Sequence, residues 1–244
     1  MDSKTFGRQF LESTAVCRDK EQLHNGRPPV PEKPAPTDSI LVQLPAPEML
    51  PDKMTSFLQL IELRSSYRDY NHSSLNLKEL SFLLWCTQGV KMLTPPGITK
   101  RNVPSAGSRH ALETYIIIHR VTGLEPGIYR YMALEHALHR EELDGNAMIK
   151  AEQSFNSKTI VEHSAVTFIW TAVSRRMTYA FSNRGYRYIF LDAGHTCENL
   201  YLASEVLGMG ACALGAFSDE SLNDALALDM DKEFAVYAAS VGKI

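Results

Sequence analysis

The sequence predicts an α+β fold, and three observations carry that expectation. Two long apolar runs, Leu112–His119 and Ala165–Val173, read as buried strands. A pair of short runs, Ile128–Tyr131 and His136–Arg140, reads as two strands joined across the loop Met132–Glu135. A 3.6-residue apolar period from about Tyr186 to Leu207 predicts one long helix, ended by Gly208 and Gly210. Hairpin-like pairs among helices do not alternate strictly, which favours α+β over a parallel, alternating architecture.

The remaining elements follow in order. Eight of the twelve prolines lie between Pro28 and Pro51. Proline fixes φ and donates no backbone hydrogen bond, so this stretch is neither ordinary helix nor inner strand. Residues 1–51 therefore read as a proline-rich extended arm, laid on the body or on a partner subunit, and residues 52–244 as the folded domain. Ile40, Leu41, Val42 and Leu44 need apolar cover and argue against full disorder of the arm. Regular structure is expected from near Asp52, where Met54, Phe57, Leu58, Ile61 and Leu63 suit a short amphipathic helix running into Arg64. A second helix begins at Asn76, with Glu79 three residues on as in a capping box. Leu77, Leu80, Leu83, Leu84 and Val90 continue it at helical spacing, and Gly89 suits its end. The last strands are Ala211–Phe217 and Phe234–Val241, with a short helix between them capped by Ser218. No internal repeat is visible.

Composition narrows the function. The chain has 244 residues, 44% of them hydrophobic and 22% charged, enough apolar material for a core without metal or disulfide staples. A net charge of −3 gives no electrostatic footprint for nucleic acid or an anionic membrane, so an anionic ligand requires a local basic pocket. Cys17, Cys86, Cys197 and Cys212 form no C-x-x-C pair, and no H-E-x-x-H or similar cluster occurs, so no metal is expected. The last three cysteines read as buried, inert thiols. The first residues lack the apolar segment of a secretory signal and no run is long enough to span a membrane, so the expected location is the cytoplasm.

Three clusters bear on chemistry. Arg64-Ser65-Ser66-Tyr67-Arg68 places two guanidinium groups four residues apart, on one helix face or converging at a helix-to-loop junction. Their planar forks match phosphate oxygens, although a solvated helix end gives the same pattern. Pro104-Ser105-Ala106-Gly107-Ser108 is a small-residue loop before a buried strand. It is either a turn or a place where a flat ring approaches backbone N–H groups. Gly208-Met209-Gly210 and Gly215-Ala216-Phe217 flank a strand after the long helix, where glycine ends the helix and can admit a ligand. The order is the reverse of a G-x-G-x-x-G fingerprint, and no phosphate loop of the G-x-x-x-x-G-K type is present.

In this order and spacing the chain resembles the nitroreductase superfamily, and within it the SagB-type branch of thiazole/oxazole-forming dehydrogenases. The resemblance rests on RSSYRDY (64–70), LSFLLWCTQGV (80–90), PSAGSRHALE (104–113), PGIYRY (126–131), RGYRYIFLDAGHTCENLYL (184–202) and LGMGACALGAFS (207–218). It covers about residues 56–243. It implies a central, mostly antiparallel sheet flanked by helices, a long interface helix, and FMN held between the subunits of a homodimer. Arg64, Ser65, Ser66 and Arg68 would hold the phosphate, ribityl chain and pyrimidine edge, with Arg64 on the phosphate and Arg68 on the edge. Pro104, Ser105, Ala106 and Gly107 would pack on the isoalloxazine from the partner subunit. Leu214, Gly215 and Ala216 would offer backbone near the hydride-accepting nitrogen, and Lys243 a further phosphate contact. One departure stands out. Azoline-oxidising members carry a Lys-Tyr pair where this chain has Ala180 and Phe181, neither of which takes a proton. Ala111 stands where related sequences often have proline.

The expected activity is hydride transfer between NADH or NADPH and a small organic acceptor such as a nitroaromatic or quinone. The alternatives are azoline oxidation in peptide modification, and flavin binding without turnover. His195, His110 and Tyr186 are candidate proton donors or pocket residues, each also readable as structural. Tyr188 reads as helix-end packing, and His136 and His139 as exposed strand positions. Residues 91–101 and 144–160 are expected to shape the substrate side.

Overall fold

The computed structural model describes residues 3–16, 28–47, 56–95 and 97–244. In chain order these form α1 (Ser3–Ser13), β1 (Leu41–Gln43), α2 (Phe57–Leu63), α3 (Leu77–Gln88), β2 (Val90–Thr94), β3 (Ile98–Arg101), β4 (Leu112–Ile118), β5 (Gly127–Met132) and β6 (Ala137–Arg140). Then follow α4 (Ala147–Gln153), α5 (Lys158–His163), β7 (Val166–Val173), α6 (Ser174–Phe181), α7 (Arg184–Leu207), β8 (Met209–Leu214), α8 (Asp219–Ala225) and β9 (Glu233–Lys243). One seven-stranded sheet runs in the order β1-β6-β5-β4-β7-β9-β8, and β2 and β3 make a separate hairpin. Every pairing between its named strands is antiparallel, as the resemblance implied.

Strands β4 and β7 fill the middle of the sheet because their residues are apolar on both faces. All seven residues of β4 are buried. Successive side chains of a strand point to opposite faces, so Ile116 and Ile118 join one core with Leu80, Leu83 and Leu84 of α3 and Ile189, Ala193 and Leu200 of α7. Tyr115 and Ile117 join the other with Ala151 of α4 and Leu222 of α8. Each such isoleucine contributes about 1.5–3 kcal/mol by leaving water. The α3 capping box forms as expected: Glu79 N–H donates to Asn76 Oδ1 at 2.9 Å, and Asn76 N–H to Glu79 Oε2 at 2.8 Å. Gly208 ends α7 in the left-handed region at φ 67°, which glycine adopts without strain. Ser218 caps α8 through its hydroxyl, as read from the sequence.

Several expectations need correction. Regular structure starts well before Asp52, with α1 and β1. The arm is not a separate layer, because β1 pairs with β6 as an edge of the main sheet. Polar anchors hold it as well. The buried Glu32 accepts from Ala133 N–H at 2.7 Å, and Lys33 Nζ lies 3.0 Å from Glu233 Oε2. The arm's carbonyls accept from buried arginines, Arg130 to Lys33 O at 2.6 Å and Arg101 to Pro31 O at 3.1 Å. Met54 and Asp52 lie outside the described residues. Helix α2 forms, yet none of its residues is buried: Phe57, Leu58, Ile61 and Leu63 all face outward. Val90 opens β2 instead of closing α3, and Gly210 lies inside β8 instead of in the helix stop. His139 is buried, and His136 sits in the turn with Nδ1 2.7 Å from the Tyr131 hydroxyl and Nε2 2.8 Å from Ser81 Oγ. Cys197 and Cys212 are buried thiols as expected, whereas Cys86 is only half-buried.

Candidate active site

The segment from Arg64 to Asn71 is laid against the free edge of β8. Arg64 ends α2, donating its N–H to Leu60 O at 3.0 Å. The chain then extends, and Ser66 forms a parallel bridge with Ala211. Tyr67 N–H donates to Ala211 O at 2.9 Å and Asn71 N–H to Lys243 O at 2.8 Å. The Tyr70 hydroxyl donates to Tyr67 O at 2.9 Å and lies 2.8 Å from Ser240 Oγ. Two glycines make the approach possible. A Cβ on Gly210 would sit 2.5 Å from Tyr67 Cβ, and one on Gly242 would sit 2.7 Å from the Tyr70 ring. Gly210 therefore admits a tyrosine of this chain, where the sequence had pointed to a ligand.

Arg64 closes α2 and Arg68 lies in the extended chain beyond it, so the two do not share one helix face, and they meet different surroundings. The Arg64 guanidinium carbon stands 5.5 Å from the centre of the Tyr201 ring. Exposed Arg68 makes one long contact, 3.4 Å to Ser66 O. Among the described residues neither is ion-paired. Ser65 is exposed, and its N–H lies 3.4 Å from Glu205 Oε1. Ser66 Oγ lies 3.0 Å from the Tyr201 hydroxyl, which also accepts Ala213 N–H at 2.7 Å. Tyr201 thus ties α7, the arginine segment and β8 together. It was missed in the sequence because a tyrosine on an apolar helix stripe reads as core.

Arg68 and Leu214, Gly215 and Ala216 line one cleft of about 150 Å3, with Ser157, Ile160, Cys212 and Ala213. Two sequence clusters separated by more than a hundred residues therefore converge. Ser157 and Ile160 come from the 144–160 segment. Burial raises the Cys212 thiol above its ordinary value despite the nearby Arg68 charge, so it stays protonated.

The loop Pro104–Gly107 lies elsewhere on the protomer. Residues Ala106–Ser108 make a 3-10 turn with Gly107 at φ 57°. His110 N–H donates to Ser105 Oγ at 2.9 Å, and Ala106 N–H reaches Asp192 Oδ1 at 3.4 Å. A Cβ on Gly107 would stand 2.9 Å from Phe181 Cζ, so Phe181 packs under the loop. These hydrogen bonds go to α7 and within the loop; among the described residues none reaches Arg64–Arg68 or Leu214–Ala216. Asp192, absent from the sequence candidates, is the buried acid that holds the loop. Burial raises its carboxyl above the ordinary range, opposed by the Ser105 and Ala106 hydrogen bonds. Its sequence signal was an aspartate on the stripe Ile189, Ala193, Thr196, Leu200.

Other candidates separate clearly. His110 is buried, and desolvation first, then the Arg101 and Lys100 charges, push its imidazole down to about 3. It is neutral at working pH and donates no proton as an imidazolium. His195 and Tyr186 lie on the exposed face of α7 with Phe190 and Leu191, the last two 52% and 57% exposed. Lys243 is ion-paired, its Nζ 3.1 Å from Glu79 Oε1, so it reaches a phosphate only by giving up that partner. No described helix is long and apolar enough to cross a membrane.

Fold and site define an α+β domain with an all-antiparallel central sheet, a long central helix and a basic cleft at one sheet edge. The chain belongs to the nitroreductase family, which it matches over residues 61–243. A protein of Methanocaldococcus jannaschii named as a nitroreductase is 31% identical over 210 residues, 84% of this chain and 98% of the relative. The trifolitoxin-processing protein TfxB of Rhizobium leguminosarum bv. trifolii is 29% identical over 157 residues, 62% of this chain and 42% of that longer protein. Among solved structures, a nitroreductase-like protein of Ralstonia eutropha superposes with a TM-score of 0.65 at 23% identity, covering 90% and 95% of the two chains. A chain of the E. coli microcin synthetase McbBCD complex, with truncated pro-MccB17 bound, gives 0.63 at 14% identity, covering 99% and 91%. A nitroreductase-like protein of Desulfovibrio desulfuricans in complex with FMN gives 0.54 at 18% identity, covering 77% and 86%.

Proposed function

We propose that this chain is an FMN-dependent oxidoreductase that works as a homodimer and moves hydride between NADH or NADPH and a small organic acceptor. The observation that carries the reading is the cleft that Arg68 lines together with Leu214, Gly215 and Ala216. The residues present fit the cofactor. Among the described residues neither Arg68, at the cleft, nor Arg64, four residues before it on the Tyr201 ring, has a carboxylate partner, and a dianionic phosphate needs such fixed donors. When bound, FMN supplies the hydride-accepting ring. Arg64 holds the phosphate, and Arg68 stabilises negative charge on the pyrimidine edge, which favours the reduced form. Ser65 and Ser66 hold the ribityl chain, Ser66 being oriented by Tyr201. Leu214–Ala216 offer backbone groups to the ring, and Lys243 adds a phosphate contact once released from Glu79.

The homodimer is supported by the apolar surface left open on one protomer. Phe57, Leu58 and Ile61 of α2 are exposed, as are Phe190 and Leu191 of α7, and a groove of about 450 Å3 between α2, α3 and α7 is lined by Leu60, Phe82, Trp85 and Val206. Patches of this kind mark association surfaces. In such a dimer Pro104–Gly107 reaches the partner's cleft. The cytoplasm is the location this reading fits.

A second reading, SagB-type azoline oxidation in peptide modification, draws support from the relationship to TfxB. The Ala180-Phe181 pair weighs against it, because Ala180 is buried and Phe181 packs against Tyr188 with ring centres 4.9 Å apart. The purified protein is expected to be yellow, and rapid mixing with NADH or NADPH to bleach it. Flavin that stays oxidised with both donors removes the first reading; loss of two hydrogens from an azoline peptide establishes the second.

A further inference from the structure

A small cavity lies under the arm, next to the Pro104–Gly107 loop and apart from the arginine cleft. It has a volume of about 20 Å3 and is bounded by Pro29–Pro31, Gly97–Thr99, Ser108, Arg109 and Arg176. Arg176 is only 3% exposed, yet among the described residues its Nη1 has no partner, and neither has the buried Nε of Arg109. The other Arg176 nitrogens are engaged, Nε donating to Val30 O at 2.8 Å and Nη2 to Glu113.

The hydroxyls at this cavity can donate as well. Ser108 Oγ accepts Lys100 Nζ at 3.0 Å, and Thr99 Oγ1 accepts Arg101 Nε at 3.4 Å. Each leaves its own hydrogen free to donate. A water can accept from the same donors but brings no charge, while a monatomic anion accepts from all of them and carries the negative charge. The charge balance points the same way. Glu113 answers Arg176, but Arg109 has no carboxylate within ion-pair distance among the described residues. The volume holds one water-sized particle and excludes phosphate or sulfate.

We propose that this cavity is a halide site, occupied by chloride, that joins the arm to the loop through Arg109 and Arg176. The ion accepts from the two free guanidinium nitrogens and from the Ser108 and Thr99 hydroxyls. It offsets the surplus positive charge that Arg109 brings and pins Pro29–Pro31 against Ser108 and Arg109.

The test is thermal melting of the full chain in sodium chloride, sodium bromide or sodium gluconate at equal ionic strength. A bound halide raises Tm in proportion to the logarithm of its concentration above its Kd, by roughly 2–4 °C at a few-fold excess, whereas gluconate is too large to enter. Arg109→Gln is expected to abolish the difference between halide and gluconate. Crystals soaked in bromide give a direct second readout, with anomalous scattering expected between Arg109 and Arg176. Equal melting in all three salts, or a water there with no bromide signal, overturns the proposal.

Discussion

At the residue scale the arginine pair carries the proposal for the cofactor. Charge-assisted hydrogen bonds are worth about 1.5–3 kcal/mol each. Arg64→Ala and Arg68→Ala are therefore each expected to lower FMN affinity roughly tenfold to a hundredfold, read as flavin retained per protomer after gel filtration. Arg68→Lys should not restore it fully, because a lysine is a point charge without the planar fork. Full occupancy in either alanine variant removes that residue from the site. His110 makes the opposite expectation. Held neutral by burial and by Arg101 and Lys100, it titrates near 3, so His110→Asn leaves any pH–rate limb near neutrality in place. Displacement of that limb would restore His110 as a working acid. The arginines were legible in the sequence because their chemistry is local. Tyr201 and Asp192 were not, because each looks like helix filler until the fold brings Ser66 and Ala106 to it.

At the element scale the decisive contact is between the extended Arg64–Asn71 segment and strands β8 and β9. Gly242 is where that contact is tightest against a ring, since an added Cβ would lie 2.7 Å from Tyr70. Gly242→Ala is expected to cost about 1–3 kcal/mol through overpacking. It should also push Tyr70 and the arginines outward, so that denaturant midpoint and flavin retention fall together. A variant that loses stability but holds flavin normally would separate this contact from the site. Elements with strong period were readable: α3 with its capping box, α7 with its apolar stripe, β4 and β7 with their continuous apolar runs. Among the unread ones, α4, α5, α6 and the β2–β3 hairpin are short and carry little periodicity of their own, while α1 lies in the stretch read as an extended arm. β1 escaped for the same reason, being three residues that become a strand by pairing with β6.

At the scale of the whole molecule, two surfaces matter: the arm on the body, and the open apolar face. Glu32 anchors the arm, and burial, then the Glu113 charge, push its carboxyl up from the ordinary 4.5 to about 7. A carboxyl that holds its proton more tightly when folded favours the folded state below its unfolded value. That contribution is lost as pH rises from 4.5 to about 7, and the profile is level above that. Stability is thus expected to fall by roughly 1–3 kcal/mol across that window, and Glu32→Gln to flatten the profile, measured by urea titration at several pH values. An unchanged slope in the variant would place the titration elsewhere. For the open face, Leu191→Asp is expected to weaken self-association and flavin retention together, seen by analytical ultracentrifugation with absorbance detection. A dimer that survives unchanged would put the interface on another surface.

From residue order alone came the α+β class, the core strands, the long helix, the family resemblance and the arginine segment, because these depend on periodicity and on local side-chain chemistry. Tertiary structure alone decided that Arg68 shares a cleft with Leu214–Ala216, that Gly210 and Gly242 make room for tyrosines, that the arm contributes a strand, and that Lys243 faces Glu79. The physical reason is separation along the chain. A one-dimensional pattern records which faces are apolar, but pairing between distant edges is settled only when the sheet closes and each buried polar group finds its partner.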